Sequence, residues 1–110
     1  MTMTDDDMRA ALATTKAYTA VLLHHGPSYG SPDTAAVVWE HGRRNFELRA
    51  AGQLAIVLPV RDDSTLSGIG IFALDEAETR AVMDADPGVV AGIFTYEVHP
   101  TRSFPGDALP

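Results

Sequence analysis

Cysteine is absent from the 110 residues, which excludes disulfides, thiolate metal sites and cysteine nucleophiles together. Long apolar runs are missing too. None approaches the ~20 residues that a membrane-spanning helix requires, and the acidic amino terminus carries no apolar h-region of the kind a secretory signal needs. Cytoplasmic residence is therefore the expectation. Basic residues are scarce: eight Lys and Arg against fifteen Asp and Glu leave a formal net charge of −7 and a pI near 4.8. A polyanionic partner needs a basic surface, so no nucleic acid is expected. Ser67-Gly68-Ile69-Gly70 lacks the third glycine and the helix of a dinucleotide fingerprint. No serine stands in a nucleophile-elbow context. What is present is a 45% hydrophobic chain, long enough for one domain with its own core and short enough to gain from self-association.

Met1 to Lys16 reads as an appended segment, in which Thr4 caps a short helix whose first turn is Asp5-Asp6-Asp7. Ala17 to His25 is mostly apolar, is bounded by Gly26-Pro27, and predicts a buried strand. Ser31-Pro32-Asp33 has the signature of a helix start, with Ser31 as cap. That helix runs to about Ala51 and stops at Gly52. Glu40 and Arg44 stand four apart on its solvated flank. Gly42 inside it costs about 1 kcal/mol against alanine, which leaves room for something to approach the backbone. Gln53 to Val60 and Ser67 to Leu74 predict two further strands, with Gly68 and Gly70 marking a bulge or a close approach. Asp75 and Glu78 have capping-box spacing, and the helix they open must end before Pro87. Val90 to His99 predicts the last strand. Pro100 to Pro110 reads as irregular, so residues 17–100 form the domain and 101–110 a tail. The order βαββαβ is the ferredoxin-like split arrangement, an α+β fold with a four-stranded antiparallel sheet. Both helices should cover one face of that sheet. The other face is also rich in apolar side chains, and a second copy of the chain is the economical cover.

In the long helix Val37, Val38, His41, Asn45 and Leu48 recur at helical three-and-four spacing and share one face. His41 therefore lies in the stripe that packs inward, either as a hydrogen-bonded core residue or as a functional one. His24 and His25 point to opposite faces of their strand, so only one of them can look into a shared pocket. On the last strand Thr95, Glu97 and His99 share a face that either lines a cavity or meets solvent. Histidines at 24 or 25, 41 and 99 with Glu97 have ligand types suited to zinc or iron. None has the spacing of a metal signature such as H-E-x-x-H, so no metal is expected. Arg44 either reaches a substrate anion or pairs with Glu40. Trp39 and Tyr29 are apolar platforms for pocket walls or a dimer contact.

Over roughly Ala17 to Pro100 the chain resembles the YciI-related (YCII) family, a branch of the dimeric α/β-barrel proteins. The resemblance is carried by His41 followed by Arg44, by Ala51-Gly52-Gln53-Leu54, by Pro59 and Gly68, and most strongly by Asp84-Ala85-Asp86-Pro87 followed by Ala91-Gly92. It implies that His41 and Asp86 lie together in a pocket as the active-site pair. Two departures bear on pocket shape: Leu58 stands where the family usually has glycine, and Gly88 where an aromatic often follows the Asp-Pro pair. A carboxylate that holds one imidazole nitrogen fixes the tautomer and raises the basicity of the other. The same two residues could equally form an ion pair that pins two helices together.

The resemblance implies a homodimeric enzyme with no cofactor, of lyase, isomerase or cyclase type. It would act by proton transfer on a small cyclic or aromatic oxygenated substrate. His41 would be the base and Asp86 its orienter, with Arg44, His24 or His25, Trp39 and Tyr29 around the substrate. A non-catalytic ligand-binding or interaction domain using the same cavity is the alternative. A cofactor-free monooxygenase of the wider barrel group is the third reading.

Overall fold

A computed structural model describes residues 1–110. The elements in chain order are α1 (Asp5–Leu12), β1 (Lys16–His25), α2 (Thr34–Ala50), β2 (Leu54–Pro59), β3 (Leu66–Phe72), α3 (Glu76–Asp84), α4 (Pro87–Val90) and β4 (Phe94–Ser103). The strands form one antiparallel sheet in the order β2-β3-β1-β4. With α1 and the single turn α4 set aside, this is the expected ferredoxin-like α+β fold.

Strand alternation builds the core. Thr19, Val21 and Leu23 of β1 are buried and face Phe72, Gly70 and Gly68 on one neighbour and Pro100, Val98 and Tyr96 on the other. Leu54, Phe72, Phe94 and Val98 join Val21 and Leu23 in the core, with Met83 of α3 and Ile93 between α4 and β4. Each such side chain contributes about 1.5–3 kcal/mol when fully buried. Gly70 makes the packing possible, because a Cβ there would stand 3.3 Å from both Leu54 Cδ1 and Phe72 Cε2. The opposite face carries cross-strand pairs of Leu22 with Ile69, Ile56 with Ile71, and Leu58 with Ile69. The register of β3 against β1 slips between Leu23 and His24, whose partners are Gly68 and Leu66. Ser67 is thus the extra residue of a bulge, beside the glycine that marked it.

The chain departs from the sequence expectations at three places. Val90, expected to open the last strand, instead closes the helical turn Pro87–Val90, because the Asp86 side chain caps that turn and Gly92 ends it at a φ of 72°. β4 then begins at Phe94 and continues through Pro100 to Ser103, into the stretch expected to be irregular. β4 is an edge strand, where proline is tolerated. At the start of α2, Ser31 is not the cap. The helix begins at Thr34, with Asp33 before it making no side-chain cap bond. Thr34 Oγ1 instead accepts from the Gly30 amide at 3.0 Å.

The other two caps form as expected. Thr4 and Asp7 close a reciprocal box on α1, and Asp75 and Glu78 close one on α3. Yet α1 has no buried residue; the whole molecule measures 55 × 29 × 21 Å. No helix is long and apolar enough to cross a membrane. α2 rests on α4 and β2, and α3 on β4. No residue of α2 is fully buried, so its inner face leaves a gap above the sheet.

Candidate active site

Beside that gap is a cavity of about 860 Å³, whose lining also takes in Ile56, Leu58 and Ile69 of the second sheet face and Asp107, Ala108 and Leu109 of the tail. Its size falls within the range of ligand pockets, roughly 300–1,000 Å³. His41 and Asn45, one helical turn apart on α2, both line it. Gly42 lines it as well, and a Cβ there would meet nothing within 4 Å. The mid-helix glycine is therefore open to the cavity and is not demanded by packing within the chain.

Behind His41 stands Asp86, only 1% exposed. Its Oδ1 lies 2.8 Å from His41 Nδ1. Its Oδ2 accepts from the Gly88 and Val89 amides at 2.9 and 3.3 Å. Burial is the largest single influence on this carboxyl and opposes its ionisation. The hydrogen bond and charge of His41, with the two amides, together outweigh burial and hold it below its ordinary value of 3.8. An ionised Asp86 can only accept, so His41 Nδ1 carries the hydrogen. In the neutral ring Nε2 is then an acceptor, and Asn45 Nδ2 lies 3.2 Å from it. The imidazole also packs against Phe94, ring centroids 5.0 Å apart.

The remaining residues singled out from sequence are distributed as follows. His25 and Tyr29 line the cavity and stack on each other at 3.6 Å between centroids, 6° from parallel. Tyr29 is also 6.3 Å from Phe94, so the three rings and His41 make one aromatic wall. Arg44 does not line the cavity. Its guanidinium donates to the Val82 carbonyl at 2.7 Å and stands 3.7 Å from Asp86 Oδ1. It therefore braces the buried carboxylate, and the partner of Glu40 is Arg43 at 3.2 Å. Trp39 is 69% exposed and outside the cavity lining.

His24 lies on the opposite sheet face, 2.8 Å from Glu97 Oε1, while His99 lies 2.8 Å from Glu97 Oε2. The two imidazoles hold the Glu97 carboxyl below its usual range, against a smaller opposing effect of burial. Hence His24, His99 and Glu97 do not converge with His41, and no group of three or more potential ligands is disposed to hold a metal ion.

Asn45 and Phe94 are the site residues that sequence reasoning did not single out. The signal for Asn45 was its place four residues after His41. Phe94 had none, since its contact with His41 depends on the turn of α4.

No protein-family model matches the chain, and no curated protein matches it. Solved structures share the fold. One of them is 5-chloro-2-hydroxyhydroquinone dehydrochlorinase from Burkholderia phenoliruptrix, in complex with 2,5-dihydroxybenzoquinone. The TM-score is 0.52 at 15% sequence identity, over 74% of this chain and 90% of that one. At that identity the likeness is one of architecture.

Proposed function

We propose that the chain is a small cytoplasmic enzyme, needing no cofactor, that moves a proton on a compact cyclic or aromatic oxygenated substrate in a lyase- or isomerase-type reaction. The observation that carries this reading is the 2.8 Å pairing of His41 Nδ1 with buried Asp86 beside an aromatic-walled cavity. A base needs a fixed tautomer and a carboxylate to balance the imidazolium that forms, and Asp86 supplies both. The resemblance to the YCII family supports the same two residues as the site. The shared fold with a dehydrochlorinase seen with 2,5-dihydroxybenzoquinone supports an oxygenated ring as ligand. The working form is a homodimer, in which the sheet face of Leu22, Ile69 and Ile71 packs against a second copy next to the part of the cavity that Ile56, Leu58 and Ile69 line.

The test is a panel of hydroxylated benzoquinones and chlorinated hydroxyhydroquinones, first by thermal shift and then by chloride release and solvent deuterium exchange. Ligands of this class should raise Tm, and His41→Gln should lower turnover by about 10²-fold or more while the fold persists. Turnover retained by His41→Gln would contradict the assignment. A second reading has one observation in its favour: Nε2 of His41 already accepts a hydrogen bond from Asn45. Binding without any turnover across the panel would leave a ligand-sensing domain built on the same cavity.

A further inference from the structure

We propose that Asn45 is a second catalytic contact, which holds the substrate oxygen from which His41 removes a proton. This rests on the reading of His41 as a base. Asn45 Nδ2 stands 3.2 Å from His41 Nε2, and both residues line the cavity. The amide nitrogen carries two hydrogens, and only one is engaged by the Nε2 lone pair. A hydroxyl oxygen at ordinary hydrogen-bond distance from Nε2, about 2.8 Å, can complete a nearly equilateral triangle with Nε2 and Nδ2. The substrate hydroxyl donates to Nε2 and displaces the Asn45 hydrogen from that lone pair. The freed amide N–H turns to the oxygen.

In the transfer the O–H bond breaks and the N–H bond forms at Nε2. The electron pair stays on oxygen as an oxyanion, which faces the Asn45 donor and the new imidazolium. Asp86 balances that imidazolium through Nδ1. A donor carried on a helix and held beside Nε2 needs only a small rotation to face the place where charge develops. Arg44 cannot take this role, because its guanidinium is turned to Val82 and Asp86 outside the cavity lining.

The test uses 4-nitrocatechol, whose neutral and singly ionised forms differ in their visible spectra, with wild type, Asn45→Ala, Asn45→Ser and His41→Gln. At a pH where the free probe is mostly neutral, wild type should bind it as the anion. Asn45→Ala should weaken binding roughly tenfold or more, the worth of a hydrogen bond to a charged group. The bound spectrum should move toward the neutral form, and Asn45→Ser, which keeps a shorter donor, should fall between. Far-UV circular dichroism checks that each variant is folded. If Asn45→Ala and Asn45→Ser both keep the wild-type affinity and anion spectrum while His41→Gln loses them, the role of Asn45 is overturned and the base reading stands. If wild type fails to bind the probe, or binds it indifferently to His41→Gln, the base reading falls and this inference with it.

Discussion

The Asp86 carboxylate serves two elements, with Oδ1 on His41 of α2 and Oδ2 on the first amides of α4. Its pKa is lowered in the folded chain. A group of this kind contributes stability that is present above the unfolded pKa and is lost as pH falls through the folded one. Asp86→Asn should therefore cost about 1.5–3 kcal/mol near neutrality, the range for a hydrogen bond to a charged group. The gap between wild type and variant should narrow in urea titrations as pH falls below the ordinary carboxyl value of 3.8. Gly88 is a second sensitive position: a Cβ there would collide with the Phe94 ring and stand 3.0 Å from Asp86 Oδ2. Gly88→Ala should cost about 1–3 kcal/mol by overpacking, measured by chemical denaturation. It should also press Phe94 toward His41, a shift visible in the His41 ring resonances. Glycine at 88 thus has a physical reason, since Phe94 fills the space that a larger side chain there would need.

The caps show how local signals and stability separate at the level of elements. Thr4 and Asp75 each close a capping box, and replacing such a cap by alanine typically costs about 1 kcal/mol. The α3 helix buries Thr79 and Met83, so Asp75→Ala should lower global stability by about that amount. Helix α1 buries nothing, so Thr4→Ala should leave the global transition unchanged and only speed amide exchange in residues 5–12. Both caps were legible in the sequence because their partners lie three residues away. The α4 turn was not, because it depends on the Asp86 side chain reaching forward and on Gly92 adopting positive φ. Read as a pattern, Val90 to His99 looked like uninterrupted strand. Arg44 takes neither of its two expected places, at a substrate anion in the cavity or on Glu40, for a similar reason. Three residues from His41 it lies beside the inner stripe, and the Val82 carbonyl, 38 positions away, draws its guanidinium inward.

Across the whole molecule the α+β class, the four-stranded antiparallel sheet and the helix-covered face followed from element order and apolar alternation, which are chain-wide signals. The cavity did not. It exists because α2 rests on α4 and β2 and none of its residues is fully buried, a packing outcome that no local pattern encodes. The His41–Asp86 pairing spans 45 positions and came into view through family resemblance, whereas spacing alone left it open. The second sheet face, with its Ile69 pairs to Leu22 and Leu58, underlies the expectation of a homodimer. Sedimentation at micromolar concentration should give about twice 11.8 kDa, and Ile69→Asp should return the chain to monomer without unfolding it. A monomeric wild type would remove this interface.

The proton on the His41 ring is the point on which the functional reading turns. Its position can be measured without a substrate, from the imidazole nitrogen chemical shifts of ¹⁵N-histidine-labelled protein, with His41→Gln for assignment. In the neutral ring the account predicts a protonated Nδ1 and an unprotonated Nε2, with the preference lost in Asp86→Asn. A neutral His41 protonated on Nε2 in the wild-type protein would contradict it.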